Sequence, residues 1–193
     1  MLLSSACAKL GSTNHRAQTQ DSTSTSEQKP PSVNPHRYGG SANYLTNPSF
    51  ETQIAPWHGW GANSIVEITK SPRKIGRASV RIIASTGAPY GIYEANVVSL
   101  PARGDRFVFS LWARSGDRAK KISVVLQASR PKAPALVLAR SNPTITPGSW
   151  HHISIEGRVD RADISGVDVY VLVQTSIGTG DSFFIDGASL TRA

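Results

Sequence analysis

From residue 43 onward the chain predicts an all-β antiparallel sandwich, preceded by a disordered tail over residues 1–42. Three observations carry this. Short runs rich in Val, Ile, Phe, Tyr and Thr are punctuated by Gly, Pro, Asn and Asp at near-regular intervals. No long stretch holds the 3.6-residue period of an amphipathic helix. Within the best-defined runs apolar residues alternate, so each run offers one side to a core.

The expected strands fall at 43–46, 64–70, 77–85, 91–98, 106–115, 120–128, 135–140, 150–159, 166–175 and 182–191. Three of them assign their own faces. In 106–115, Phe107, Phe109, Leu111 and Ala113 share one side, against Val108, Ser110, Trp112 and Arg114 on the other. In 120–128, Ile122, Val124 and Leu126 oppose Ser123, Val125 and Gln127. In 166–175, the valines at 167, 169, 171 and 173 are expected in the core, with Asp168, Tyr170, Leu172 and Gln174 opposite. These second sets mix polar and aromatic residues, so that face is neither plain core nor plain solvent surface.

The two expected regions, 1–42 and 43–193, differ in texture. The segment 18–32 is polar, Ser/Thr-rich and ends in prolines, a composition that cannot bury enough apolar surface to offset ordering entropy. Ahead of it, Met1 to Cys7 reads like the end of a lipoprotein signal, with apolar and small residues before a cysteine open to lipidation. Ser4 stands where leucine is usual, and the basic segment and most of the apolar stretch are missing. A lipidated Cys7, a tether and a globular domain together predict display outside the cell. A domain of ~150 residues buries roughly 70% of its unfolded surface and needs no staple. Cys7 is the only cysteine, which excludes an intramolecular disulfide and a cysteine-built zinc site.

The formal net charge is +8, and residues 43–193 hold 17 basic against 11 acidic residues. A basic balance favours anionic partners. The cations are scattered, with short clusters at Lys70/Arg73/Lys74/Arg77 and Arg118/Lys120/Lys121. No nucleic-acid-binding motif accompanies them, so no specific nucleic acid is expected.

Catalytic signals are sparse. There is no G-x-S-x-G elbow, phosphate-binding loop or H-E-x-x-H helix. His151 and His152 are neighbours on an expected strand and point to opposite faces. Carboxylates such as Glu67, Glu94 and Glu156 could pair as a glycosidase needs, but no spacing brings two together. The chain is therefore expected not to be an enzyme.

Several motifs in order support a resemblance. Asn43-Tyr-Leu-Thr-Asn-Pro-Ser-Phe-Glu51 resembles the opening of CenC-type carbohydrate-binding modules, families four and nine and their relatives. Trp57 to Trp60, Gly76 to Ile82, Phe107 to Arg114, Gly148 to Ser154 and Phe183 to Leu190 resemble later motifs in the family's order. The resemblance covers nearly all of 43–192. It implies a galactose-binding-like jelly roll and a non-catalytic module binding a polysaccharide or cell-surface glycan. The alternative is a structural or adhesion module of a surface or phage appendage without a sugar site. The resemblance also implies one structural calcium ion on Glu51 and Asp186, although the acid often following that aspartate is here Gly187.

Sugar recognition needs aromatic faces for C–H-rich rings and planar polar side chains for hydroxyls. The non-core set supplies Trp112, Arg114, Gln127, Tyr170 and Gln174, with Tyr93 and Tyr90 from around the fourth strand. Trp57 and Trp60 flank His58-Gly59 and suit a rim platform. Trp60 and Trp150 are expected more as core or edge-packing residues, the usual role in this architecture. The basic surplus points toward an anionic or cell-wall glycan.

Overall fold

The computed structural model describes residues 42–175 and 178–193; the expected tail and Cys7 lie outside them. Twelve strands build the described part. They are β1 (His58–Gly59), β2 (Ser64–Thr69), β3 (Ser79–Ala84), β4 (Tyr90–Ser99), β5 (Arg106–Ser115) and β6 (Lys120–Lys121). β7 (Ser123–Ser129), β8 (Leu136–Ser141), β9 (Thr144–Ile145), β10 (His151–Arg158), β11 (Gly166–Val173) and β12 (Ser182–Arg192) follow. One sheet runs β1-β4-β11-β7-β8 and the other β10-β5-β12-β3-β2, with β6-β9 a small third pair. Every recorded pairing is antiparallel. The fold is the expected all-β sandwich.

The core lies between the two large sheets and follows the alternation. Phe107, Phe109, Leu111 and Ala113 of β5 are fully buried, as are Val167, Val169 and Val171 of β11. β10 reads most simply: Ile153 and Ile155 are buried while His152, Ser154, Glu156 and Arg158 are exposed.

Two expected strands differ from the observed ones. Residues 43–46 run alongside β12 without forming a strand. Asn43 uses its side chain in place of a ladder: its Oδ1 accepts from Leu190 N (2.9 Å) and its Nδ2 donates to Ala188 O (3.1 Å). Residues 120–128 divide into β6 and β7. β6 pairs with β9, whereas β7 joins β11 and β8, and the ammonium of Lys120 turns inward to Asp181, to Asp117 (3.0 Å) and to Ser182 O (2.8 Å). Tyr90 donates its hydroxyl to the other oxygen of Asp181 (3.0 Å). This buried ion pair thus has its hydrogen bonds completed, as a buried charge requires.

Candidate functional site

The outward side of the β1-β4-β11-β7-β8 sheet carries an aromatic and polar row. Register sets His58 opposite Tyr93, Tyr93 opposite Tyr170, Tyr170 opposite Val125 and Val125 opposite Arg140. One residue from each of five strands thus lies in a line across the sheet. Trp60 follows β1 and is held alongside β4 by its N–H to Gly91 O (2.9 Å). Its ring meets Tyr93 (6.0 Å, 84°) and Tyr170 (5.3 Å, 76°) edge to face, while the two tyrosine rings lie nearly parallel (5.7 Å, 15°). His58 lies 5.6 Å from Tyr93. Trp60 remains 38% exposed, so the cluster is open to a ligand.

Polar groups fix this platform. Gln127 Nε2 donates to the Tyr170 hydroxyl (3.2 Å). Asp168, one row along, is buried and accepts from Asn96 N (2.8 Å) and from the Ser129 hydroxyl. Burial pushes the Tyr170 phenol up to about 12, with the charge of Asp168 and a hydrogen bond to it adding. Tyr170 therefore keeps its proton at any physiological pH. Past Val125 and Leu172 the face runs into a hollow of about 560 Å³ bordered by Lys121, Ser123, Asn142 and Gln174. A second hollow, of about 440 Å³, lies at the other end of β7 and β11 beside Leu100. It has no aromatic lining, and Asp163 holds its Arg130 at 2.8 Å.

The structure divides the sequence-predicted ligand residues. Tyr93, Gln127 and Tyr170 come together, with Gln174 at the end of the same face. Trp112 and Arg114 do not join them, because β5 belongs to the other sheet and their side faces away on the far side of the sandwich. There Lys74 Nζ sits 4.2 Å above the Trp112 ring and His152 lies 4.8 Å from it. Trp57 is 2% exposed and packs on Phe50 (5.4 Å), so it is core and not rim. Tyr90 is also fully buried. Of the two tryptophans expected as a rim platform only Trp60 serves as one, and at 38% exposed it is not the core residue that its usual packing role predicts; His58 and Arg140 carry no sequence signal as ligand residues. The Trp60 signal was available: Trp57 and Trp60 are an odd number of residues apart, so an extended chain puts them on opposite sides.

Glu51 and Asp186 meet at the 74–77 turn. Asp186, fully buried, accepts from Lys74 N (2.7 Å), Ile75 N (2.8 Å) and Gly187 N (2.7 Å). Glu51 accepts from Arg77 N through both oxygens (2.9 and 3.1 Å). Burial raises the Asp186 pKa against these donors, and the nearby charge of Glu51 raises it further. Gly76 completes the cradle: its φ is +64°, and a Cβ there would stand 1.8 Å from Glu51 Oε1. No ion pair is recorded for either carboxylate among the described residues. Two close carboxylates are hard oxygen donors of the kind a calcium ion takes. Yet those residues hold no cluster of three or more His, Cys, Asp or Glu side chains, so backbone oxygens must supply the rest. Gly187 has its own reason: its φ of +54° is a left-handed backbone conformation in which an acidic residue would be strained.

A family model described as a carbohydrate binding domain matches residues 42–178. The chain belongs to that family. No curated protein matches. Among solved structures, this carbohydrate-binding domain is similar to TmCBM61 in complex with β-1,4-galactotriose. The identity is 23% over 79% of this chain and 100% of that one, with a TM-score of 0.58. It is also similar to the CBM22-2 xylan-binding domain of Paenibacillus barcinonensis Xyn10C (18%, 76% and 98%, TM-score 0.60). A third is the C-terminal family 22 module of Clostridium thermocellum Xyn10B (21%, 77% and 92%, TM-score 0.59). At these identities the likeness is one of fold.

Proposed function

We propose that this carbohydrate-binding domain holds a polysaccharide on the outward face of the β1-β4-β11-β7-β8 sheet and carries out no reaction on it. The observation that supports this best is the exposed Trp60 ring set against the parallel pair Tyr93 and Tyr170. Pyranose C–H faces pack on such rings, and the polar side chains on the same side, Gln127 and Gln174, can take the hydroxyls. The face is open and crossed by five strands, which suits a chain more than a single sugar. The structural neighbours' ligands, galactotriose and xylan, are chains too.

Affinity electrophoresis in gels containing β-1,4-galactan or xylan tests the reading. Retardation of the wild type should disappear in Trp60→Ala and persist in Trp112→Ala. The reverse ranking would move the site to the opposite sheet, and no retardation on any polysaccharide would remove the function.

Glu51 and Asp186 would hold a structural calcium ion, fixing the start of the domain to its last strand through the 74–77 turn. Lipidation at Cys7 would place the domain at the cell surface.

A further inference from the structure

We infer that the glycan read by this face is acidic, and that Arg140 and Lys121 receive its carboxylates one or two sugar residues away from the aromatic platform. This rests on the proposed sugar face.

The exposed charges argued for that face, Arg140 and Lys121, have one sign, and its one carboxylate beside the platform, Asp168, is buried. Arg140 ends the row His58–Tyr93–Tyr170–Val125 and is exposed. Lys121 is exposed on the rim of the hollow that continues the face. No carboxylate lies within ion-pair distance of either cation among the described residues. The acids nearest the platform are withdrawn. Asp168 is buried, with both oxygens engaged by Asn96 N and the Ser129 hydroxyl. Glu94 is buried on the core side of β4. A carboxylate arriving at the face thus meets two cations without an ion pair, while the one nearby anion, Asp168, is buried and hydrogen-bonded.

Spacing sets where the acid must sit. Arg140 is two strands from Tyr170, or about 10 Å across the sheet. Ser123, at the hollow's edge, is two residues along β7 from Val125, about 7 Å. A single uronic acid stacked on Trp60 would not reach either cation. The ligand is therefore a polyuronate, or a neutral chain bearing uronic acid branches. A guanidinium can take a carboxylate in a bidentate, charge-assisted pair, while Lys121 acts as a point charge.

Isothermal titration of the full chain against paired probes tests this: polygalacturonate with its fully methyl-esterified form, and glucuronate-substituted xylan with unsubstituted xylan. Esterification or loss of the branch removes charge and keeps the backbone. Tighter binding of at least one acidic member is expected, weakening with added salt. Arg140→Gln and Lys121→Gln should each lower acidic-probe affinity by about fivefold, as for a partly exposed charged pair, and leave the neutral probes unchanged. Equal binding of charged and neutral members, or variants that leave acidic binding intact, would overturn the inference and leave the sugar face standing. If neither member of either pair binds, both fall.

Discussion

At the residue scale, two tryptophans three positions apart have opposite duties. Trp57 is buried against Phe50, so Trp57→Ala should destabilise the domain by about 3–5 kcal/mol, the cost of emptying a large core site. Trp60→Ala should leave the denaturation midpoint nearly unchanged and lose the ligand. Thermal melts alongside gel retardation check the pair, and a strongly destabilised Trp60→Ala would contradict its role as an open platform. Glu94 poses a different problem. It is 4% exposed on the core side of β4, and its Oε2 has no hydrogen-bond partner. Burial pushes its carboxyl from 4.5 up to about 7, with only a backbone hydrogen bond at Thr46 opposing. Between those values the folded chain keeps a proton that the unfolded chain has lost, so this group's contribution falls as pH rises through the window. At ~1.36 kcal/mol per pH unit, the ionised group costs about 3 kcal/mol above pH 7. Glu94→Gln should therefore raise the melting temperature at pH 8 by several degrees and change it little at pH 4. A gain that is constant across pH would refute the assignment.

At the element scale, alternation made the core legible and left the site ambiguous. Period two states which residues of a strand share a side, and the buried sets of β5 and β11 follow it. It does not state which sheet a strand joins. Trp112 and Tyr170 have the same sequence texture, yet β5 and β11 lie in different sheets, so their outward sides face apart. Long-range pairing decides this, and one strand's residues do not encode it locally. The non-strand at 43–46 and the break at Ile122 have a similar origin. A side-chain clamp from Asn43 holds the first segment, and a change of pairing partner from β9 to β11 and β8 divides the second; neither shows in a hydrophobic pattern. Arg140 was illegible for another reason: a register shift between Leu126 and Gln127 changes which β8 residues face outward. Where alternation does hold, substitutions should separate cleanly. Phe109→Ala in β5 is expected to cost about 3–5 kcal/mol, and Ser154→Ala on the exposed side of the neighbouring β10 to stay within about 0.5 kcal/mol. Urea denaturation of both variants checks this; comparable losses would mean that the two sides of the sheet are not distinct.

At the scale of the whole molecule, the ordered motifs were the strongest guide, because each is one contact of a single closed structure. The opening motif ends at Glu51, the closing one contains Asp186, and the turn before β3 receives both carboxylates. Residues 135 positions apart therefore converge on backbone N–H groups of residues 74–77. Such a junction joins the first and last parts of the domain, and two anions there repel each other unless a cation intervenes. Calcium binding at this point would stabilise the folded state only, by about 2.7 kcal/mol at a hundredfold excess over its dissociation constant. For a domain of this size that corresponds to a melting temperature higher by about 5–10 °C. Chelator should remove the increment and calcium restore it, while magnesium, which demands a tighter octahedral shell, should restore less. Glu51→Gln should melt at the chelated wild type's temperature or slightly above, because it also removes the repulsion on Asp186, and should no longer respond to calcium. Sugar binding supplies the second readout. The aromatic row lies on the other sheet, so chelation well below the melting temperature should leave affinity intact. A melting temperature indifferent to chelator would assign the junction to backbone hydrogen bonds alone.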